Sequence, residues 1–385
     1  MTAPPADRPI TATLPTTAAN VVIVSGSVGA GHDGVARELA RRLSEAGHHA
    51  EVLDLLEGFP WLVGVLLGSA YLFTLRVAPW AYEVVCWLVE RSAVFQRLAD
   101  RLCCSAAPWL RKELVGADLV VATYPPASRA LGRLRQTGEL QVPAVTYLTD
   151  PAPNYLWQHP NVDLHLTMSS ATAAEAEQRY GLPMSTAGPL VHPVFRTTDR
   201  VGARRHLRQV ADVGPEAKIA LMVLGSLGMG DVRPALRALQ AAGAVPVVLC
   251  GRNEKLHRNL RSMPGVVALG WRNDAPRLVA GCDLVVHNAG GLSLTESLVA
   301  GVPSLTFRPI RGHGRANART LDRSGMVRWA RTPTQLTTFA AEVLAEGGAA
   351  CPMPSETAVQ YICSLLPVGA NGRRQASSTA QIAGS

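Results

Sequence analysis

Asn20-Val21-Val22-Ile23-Val24-Ser25-Gly26-Ser27-Val28-Gly29-Ala30-Gly31-His32 joins an apolar run to a glycine turn and then to a helical pattern. The same order returns at Lys218-Ile219-Ala220-Leu221-Met222-Val223-Leu224-Gly225-Ser226-Leu227-Gly228-Met229-Gly230. A buried strand that ends in glycines and feeds a helix turns bare backbone N–H groups toward an anion. Two such units in one chain predict two doubly wound α/β domains facing one cleft. One domain would hold a phosphorylated donor, and the other whatever receives the transferred group.

Outward from the first turn, apolar runs at residues 21–25, 50–53, 119–123, 144–148 and 164–168 read as strands. Residues 35–45 and 172–180 have helical periods, the second ending at Gly181. After the second turn, strands are expected at 219–224, 245–250, 266–269, 284–287 and 304–307, and helices near 232–241, 294–300 and 334–346. Strands interleaved with helices predict parallel sheets. The expected organisation is a disordered tail over 1–19, an N-terminal domain over 20–197, a C-terminal domain over 198–346, and a C-terminal segment with a mobile tail over 347–385. The linker is expected near 196–204.

A chain of 385 residues, 48% hydrophobic, suffices for two cores. Its formal charge is +8, from 37 Lys and Arg against 29 Asp and Glu. That excess favours an anionic partner, either a phosphorylated substrate or an anionic lipid surface. Nucleic acid is set aside: the arginines are scattered, and neither zinc-finger spacing nor an RNP-type aromatic motif is present. Seven cysteines with no C-x-x-C pair support neither a zinc site nor a disulfide framework, and a reducing, cytoplasmic setting fits them. Residues 1–19 lack the basic and apolar regions of a secretory signal.

One segment breaks the α/β rhythm. Residues 58–75 carry no charge, and 61–73 are almost wholly apolar. A bilayer span takes about 20 apolar residues, and Gly58, Pro60, Gly64, Gly68 and Ser69 shorten this run. Trp80, Tyr82 and Trp87 follow, then Arg91, Arg97 and Arg101. Aromatic residues beside arginines suit a segment lying in the membrane interface. Trp61, Leu62, Leu66, Leu67 and Phe73 are the expected docking residues. The alternative is a pair of ordinary helices packed on the sheet.

Gly26, Gly29 and Gly31 are spaced G-x-x-G-x-G, the reverse of the dinucleotide fingerprint. A dehydrogenase would place an acid near Asp54. His32 points to other chemistry. In the first turn of the helix the dipole disfavours imidazolium, and a neutral histidine there can take a proton from an attacking hydroxyl. A histidine that only caps the helix or binds phosphate has the same signature. The stretch Cys282-Asp283-Leu284-Val285-Val286-His287-Asn288-Ala289-Gly290-Gly291-Leu292-Ser293-Leu294-Thr295-Glu296 again runs from strand through glycine turn to helix, a further anion site. Glu296 stands one turn inside that helix, where a carboxylate can grip paired ribose hydroxyls. Ser293-x-x-Glu296 also has the spacing of a capping box, which spacing alone slightly favours.

With these pieces in order, the chain resembles the GT-B glycosyltransferases, most of all the monogalactosyldiacylglycerol synthase branch. That branch is related to the enzyme that adds N-acetylglucosamine to the peptidoglycan lipid intermediate. The resemblance covers residues 21–329 and rests on residues 27–32, Thr149-Asp150, Trp157-x-His159, Gly188-Pro189, residues 225–230, Cys250-Gly251-Arg252-Asn253, Gly290-Gly291 with Thr295-Glu296, Gly301-x-Pro303, and Gly312 with Asn317. It implies a GT-B fold of two Rossmann-like domains, and inverting transfer of a hexose from a UDP-sugar to a lipid or lipid-linked acceptor, with a diacylglycerol-type acceptor favoured. The second domain would bind the donor. Gly225, Ser226, Gly228, Gly290, Gly291, Leu292 and Ser293 would hold the diphosphate, and Glu296 the ribose. Arg252 and Trp271 would flank the uracil, with His313 and Asn317 also on the donor side. His32, or less favourably Asp150, would be the base. Gly29, Gly31, Asn154 and Trp157 would lie on the acceptor side. No cofactor or metal is required, the UDP-sugar being a co-substrate, and backbone donors can stabilise the leaving UDP. The enzyme would be cytoplasmic and peripheral on the inner face of the cell membrane.

Three positions depart from the family's pattern. Gly312-His313-Gly314 stands where Gly-Gln-Glu is common, Asp33 where Arg often follows the Gly-His turn, and Asn154 where a histidine is frequent. These leave the sugar and the handling of the acceptor open. His287-Asn288 is similar instead to the His-x-Gly phosphate loop of soluble natural-product glycosyltransferases. A soluble enzyme of that kind, and a non-catalytic nucleotide-sugar-binding protein, are the competing readings.

Overall fold

A computed structural model describes residues 18–65, 71–288, 291–348 and 350–366, without the side chains of Leu62, Val65, Tyr71, Leu72 and Arg76. The first sheet contains β1 (Asn20–Ser25), β2 (His49–Asp54), β3 (Leu119–Ala122), β4 (Ala144–Leu148), β5 (Leu164–Thr167) and β6 (Ser185–Thr186). The second contains β7 (Lys218–Val223), β8 (Ala244–Leu249), β9 (Val267–Leu269), β10 (Leu284–His287), β11 (Ser304–Phe307) and β12 (Arg328–Ala330). Their spatial orders are β2-β1-β3-β4-β5-β6 and β12-β11-β10-β7-β8-β9. Every pairing is parallel. This is the expected pair of doubly wound domains. Each expected strand is present, with no end displaced by more than one residue. β6 and β12 are additions, too short and too half-covered to show a period.

The strands form because β-branched and leucine side chains must be covered on both faces of a parallel sheet. On one face of the first sheet Val21, Ile23 and Val121 pack with Val35, Leu39 and Leu43 of the helix Ala30–Glu45. On the other, Val22, Val24 and Val120 pack with Leu110, Leu131 and Leu134. The second sheet is sandwiched in the same way. Chain order reverses between β1 and β3, and again between β7 and β10. Crevices at the carboxyl ends of such switch points are where open α/β sheets bind ligands, and both glycine turns stand there.

The expected linker is overlapped at each end by a helix, Val194–Thr197 and Arg200–Ala211. Asp199 between them caps the second by accepting from the amides of Val201 and Gly202. After the second domain the chain returns to the first. Ala358, Ile362 and Cys363 of the helix Ala358–Cys363, with Leu366, complete the core around Ile23 and Leu39. Of the expected N-terminal tail only residues 18 and 19 are described, and Ala19 is buried in that same core. The tail expected after Leu366 lies outside the described residues.

Candidate active site

The two domains meet across their glycine turns. Gly31 and Gly34 face Leu292, and a Cβ on Gly34 would stand 2.3 Å from Leu292 Cδ2. The start of the helix Ala30–Glu45 therefore opposes the start of the helix Leu292–Val299, each with its positive end in the shared crevice.

His32 stands in the first turn of its helix, but Gly29 occupies the cap position and no side chain caps that end. The histidine reaches across the cleft floor instead. Its Nδ1 is 3.0 Å from the Thr123 carbonyl and 2.9 Å from Thr149 Oγ1. A carbonyl only accepts, so Nδ1 carries a proton, and in the neutral ring the free lone pair is on Nε2. Nε2 has no hydrogen-bond partner among the described residues. Tyr124 and Trp157 flank the ring at centroid distances of 5.2 and 6.0 Å. Asp33 accepts from Ser25 Oγ at 2.8 Å and Ser27 Oγ at 2.9 Å, which fixes the turn.

Asp54 accepts from the amides of Ser27 at 3.2 Å and Leu56 at 2.9 Å. It braces the turn and caps a short 3-10 segment, so the dehydrogenase role for this acid is not met. Asp150 has both oxygens engaged, one by Trp157 Nε1 at 3.1 Å and one by Asn317 Nδ2 at 3.0 Å. Asn317 Oδ1 also accepts from the Ala152 amide at 3.0 Å, making this buried asparagine a latch between the domains. Trp157 is fully buried, and Asn154 caps the 3-10 turn that carries it. Both position Asp150 from behind.

In the second domain, residues 225–230 form a tight loop after β7. Gly228 has φ +53, and a Cβ there would stand 2.2 Å from the Cys250 carbonyl oxygen, so only glycine fits. Asn253 Nδ2 donates to the Gly228 carbonyl at 2.8 Å, and the Arg252 amide to that of Ser226 at 2.9 Å. Arg252 lies 4.8 Å over the half-exposed Trp271 ring, which makes a flat cationic platform at the surface. Gly290 lies outside the described residues. Gly291 is the cap residue of the helix Leu292–Val299 and no side chain caps it, so the capping-box reading of Ser293 and Glu296 is overturned. The geometric reason is that the helix begins at Leu292, two residues earlier than a Ser293 cap requires. The Leu292 and Ser293 amides consequently take no acceptor among the described residues. The Glu296 carboxyl has no hydrogen-bond or ion-pair partner there either, and burial pushes it up to about 8.

His287 and Asn288, at the end of β10, are buried beside the same loop. His287 Nε2 meets Thr306 Oγ1 at 3.0 Å, and burial holds its ring neutral, with a pKa near 3. Its Nδ1 and Asn288 Oδ1 have no hydrogen-bond partner among the described residues. His313 opens the helix His313–Arg323 and meets Tyr82 OH through Nδ1 at 3.1 Å. Tyr82, Thr123 and Thr149 touch the site's histidines; the sequence reading put Tyr82 with the interfacial aromatics and gave the two threonines no hydrogen-bonding role, because the partners of all three are distant in the chain.

The segment after Glu57 is core only in part: Phe59 is buried with Leu110 and Leu131, and Val63 packs against that cluster. Trp61 is 78% exposed and Phe73 65%. Leu66, Leu67 and the Leu62 side chain lie outside the described residues. The helix Pro79–Arg91 buries none of its residues and exposes Trp80, Val84, Val85 and Trp87, with Arg91 5.2 Å over the Trp87 ring. Among the described residues no helix is long and apolar enough to cross a membrane.

Comparison with known proteins gives a consistent result. Residues 32–194 match the family model described as monogalactosyldiacylglycerol (MGDG) synthase. The chain is 23% identical over 318 residues to the processive diacylglycerol beta-glucosyltransferase of Bacillus subtilis (strain 168), covering 79% of this chain and 81% of that one. The protein of the same description from Bacillus cereus (strain B4264) is 24% identical over 331 residues, 79% of this chain and 80% of that one. Among solved structures, Acinetobacter baumannii MurG superposes with a TM-score of 0.53 at 15% identity, covering 91% of this chain and 99% of that one. Spinosyn rhamnosyltransferase SpnG does so with a TM-score of 0.55 at 15% identity, covering 90% and 96%. The fold is GT-B.

Proposed function

Starting from a GT-B glycosyltransferase that resembles the monogalactosyldiacylglycerol synthase branch, we propose an inverting enzyme that moves a hexose from a UDP-sugar to a diacylglycerol-type lipid at a membrane surface. The observation that carries this reading is the state of His32. Its proton is fixed on Nδ1 by a carbonyl, and its free Nε2 stands in the crevice opposite an uncapped helix start.

His32 Nε2 takes the proton of the acceptor hydroxyl, and the oxygen attacks the anomeric carbon from the face opposite the diphosphate. The bond from that carbon to the UDP oxygen breaks, and its electron pair leaves with UDP. Thr123 and Thr149 hold the imidazolium that forms. The Leu292 and Ser293 amides, the helix dipole and the loop at 225–230 face the charge that grows on UDP. Glu296 accepts from the ribose hydroxyls, and the Arg252–Trp271 platform stacks the uracil. This scheme uses no metal. One displacement with no covalent intermediate inverts the centre.

The lipid acceptor is supported by the named activity of the Bacillus relatives. The exposed aromatic and apolar side chains of residues 61–98, with Arg91 and Arg97 among them and Arg101 just beyond, suit an anionic bilayer face. We place the enzyme peripherally, on the inner face of the cell membrane. The test is UDP release from a panel of UDP-sugars with diacylglycerol in phosphatidylglycerol vesicles. Release that needs both a sugar donor and diacylglycerol is expected. Release with soluble aglycones alone would move the enzyme to natural-product chemistry, and no release from any pair would make it a binding protein.

A further inference from the structure

The helix Pro79–Arg91 has two stripes. Trp80, Val84, Trp87 and Arg91 recur at three- and four-residue spacing and face outward. Tyr82, Glu83, Cys86 and Glu90 form the opposite stripe, and it faces the cleft. Glu90 anchors the helix to its own domain, accepting from the Tyr155 amide at 2.7 Å, from Arg179 Nη2 at 3.1 Å and from Tyr180 OH. Tyr82 and Glu83 reach the other domain. Tyr82 OH meets His313 Nδ1 at 3.1 Å, with the rings edge to face at 5.7 Å. The Glu83 carboxylate lies between Arg315 Nη1 at 2.8 Å and Arg311 Nη1 at 3.4 Å.

These contacts grip one turn of the donor domain. Gly312 has φ +74, and a Cβ there would stand 2.6 Å from the Tyr82 ring and 3.1 Å from Cys86 Sγ. The turn is thus moulded against the helix, and a side chain at 312 would part them. The turn also stands beside the reacting centre: Asn317, one helical turn after His313, donates to the Asp150 carboxylate at 3.0 Å. No other element of the first domain holds residues 311–315 in this way among the described contacts.

We infer that Tyr82 and Glu83 are positioning residues for the donor site, so that the face of one helix meets lipid while its reverse sets the sugar-side turn at residues 311–315. The inference rests on the membrane and UDP-sugar readings above. Membrane contact and nucleotide binding then favour the same closed arrangement, and each raises the affinity for the other by the same factor.

The test sediments the full chain with vesicles of phosphatidylcholine and phosphatidylglycerol, with and without saturating UDP. UDP should raise the wild-type partition constant about fivefold, and vesicles should tighten UDP binding by the same factor. Tyr82→Phe removes one hydroxyl and Glu83→Gln one charge, neither from the lipid-facing stripe. The double variant should pellet like wild type without UDP, lose the UDP-dependent increment, and show a raised KM for UDP-glucose with kcat changed far less. A wild type that pellets equally with and without UDP overturns the coupling. An increment that survives in the double variant overturns the assignment to Tyr82 and Glu83. Protein that never pellets overturns the membrane reading itself, a result distinct from the other two.

Discussion

His32 in the first domain and Glu296 in the second each carry a polar group with no hydrogen-bond partner among the described residues. For His32 that group is Nε2, since Nδ1 is tied to the Thr123 carbonyl. His32→Ala should cut turnover by about 10²- to 10⁴-fold, the usual worth of a positioned base, and leave UDP affinity by calorimetry near wild type. Lost UDP binding with the rate intact would assign the residue to the phosphate instead. For Glu296 the sign of the pH effect follows from its carboxyl being pushed up to about 8 by burial, against an ordinary 4.5. Between those values the folded protein holds a proton that the unfolded chain has released. Stability from this group is therefore full below about 4.5, falls as pH rises, and is gone above about 8. Glu296→Gln removes the ionisation, so the unliganded variant should melt above wild type at pH 9 and level with it at pH 4.5. At pH 9, where the wild-type carboxyl is ionised, the same variant should bind UDP roughly tenfold more weakly, since a hydrogen bond to a charged acceptor is worth about 1.5 kcal/mol or more. A melting curve whose pH dependence matches wild type would show that the carboxylate is well solvated and without this role.

The helix Pro79–Arg91 is the element whose outward face can be changed without touching a core, because none of its residues is buried. Trp80→Asp with Trp87→Asp should abolish sedimentation with anionic vesicles while the melting temperature stays close to wild type, as expected for exposed sites outside caps and networks. A variant that still pellets would move the lipid contact to Trp61 and Phe73. The same helix shows what local sequence carries and what it does not. Its aromatic and arginine content is visible in any short window, and so are the strand, glycine turn and helix start at residues 20–32 and 218–230, because those signals come from neighbours in the chain. Its inward stripe is a different case. Tyr82 and His313 are 231 positions apart, and no period or spacing joins them. Glu296 shows a third limit: a capping box and a free carboxylate have the same spacing, and the start of the helix at Leu292 decides between them.

At the scale of the molecule, closure and chain path act together. Asp150 with Asn317, Glu175 with Thr320, and Glu83 with Arg315 bridge the domains around the crevice. The chain then leaves the second domain and comes home. The Thr357 amide donates to the Ala187 carbonyl at 2.9 Å, and Glu356 pairs with both Arg42 and Arg196. The second domain is thus tethered at both ends to a first domain that needs residues 358–366 for its core. Neither domain can unfold while the other keeps every contact. Ile362 is fully buried beside Ile23 and Leu39, so Ile362→Ala should cost about 2–5 kcal/mol. Calorimetry should show one transition in wild type and the whole of it lowered in the variant. Saturating UDP, which on the reading above binds only the second domain, adds about 2.7 kcal/mol at a hundred times its Kd. Because unfolding is shared, that gain should raise the variant's single transition and offset much of a defect lying in the other domain. Two separate transitions, with UDP moving one and Ile362→Ala the other, would show that the returning segment joins the domains in space without joining their stability.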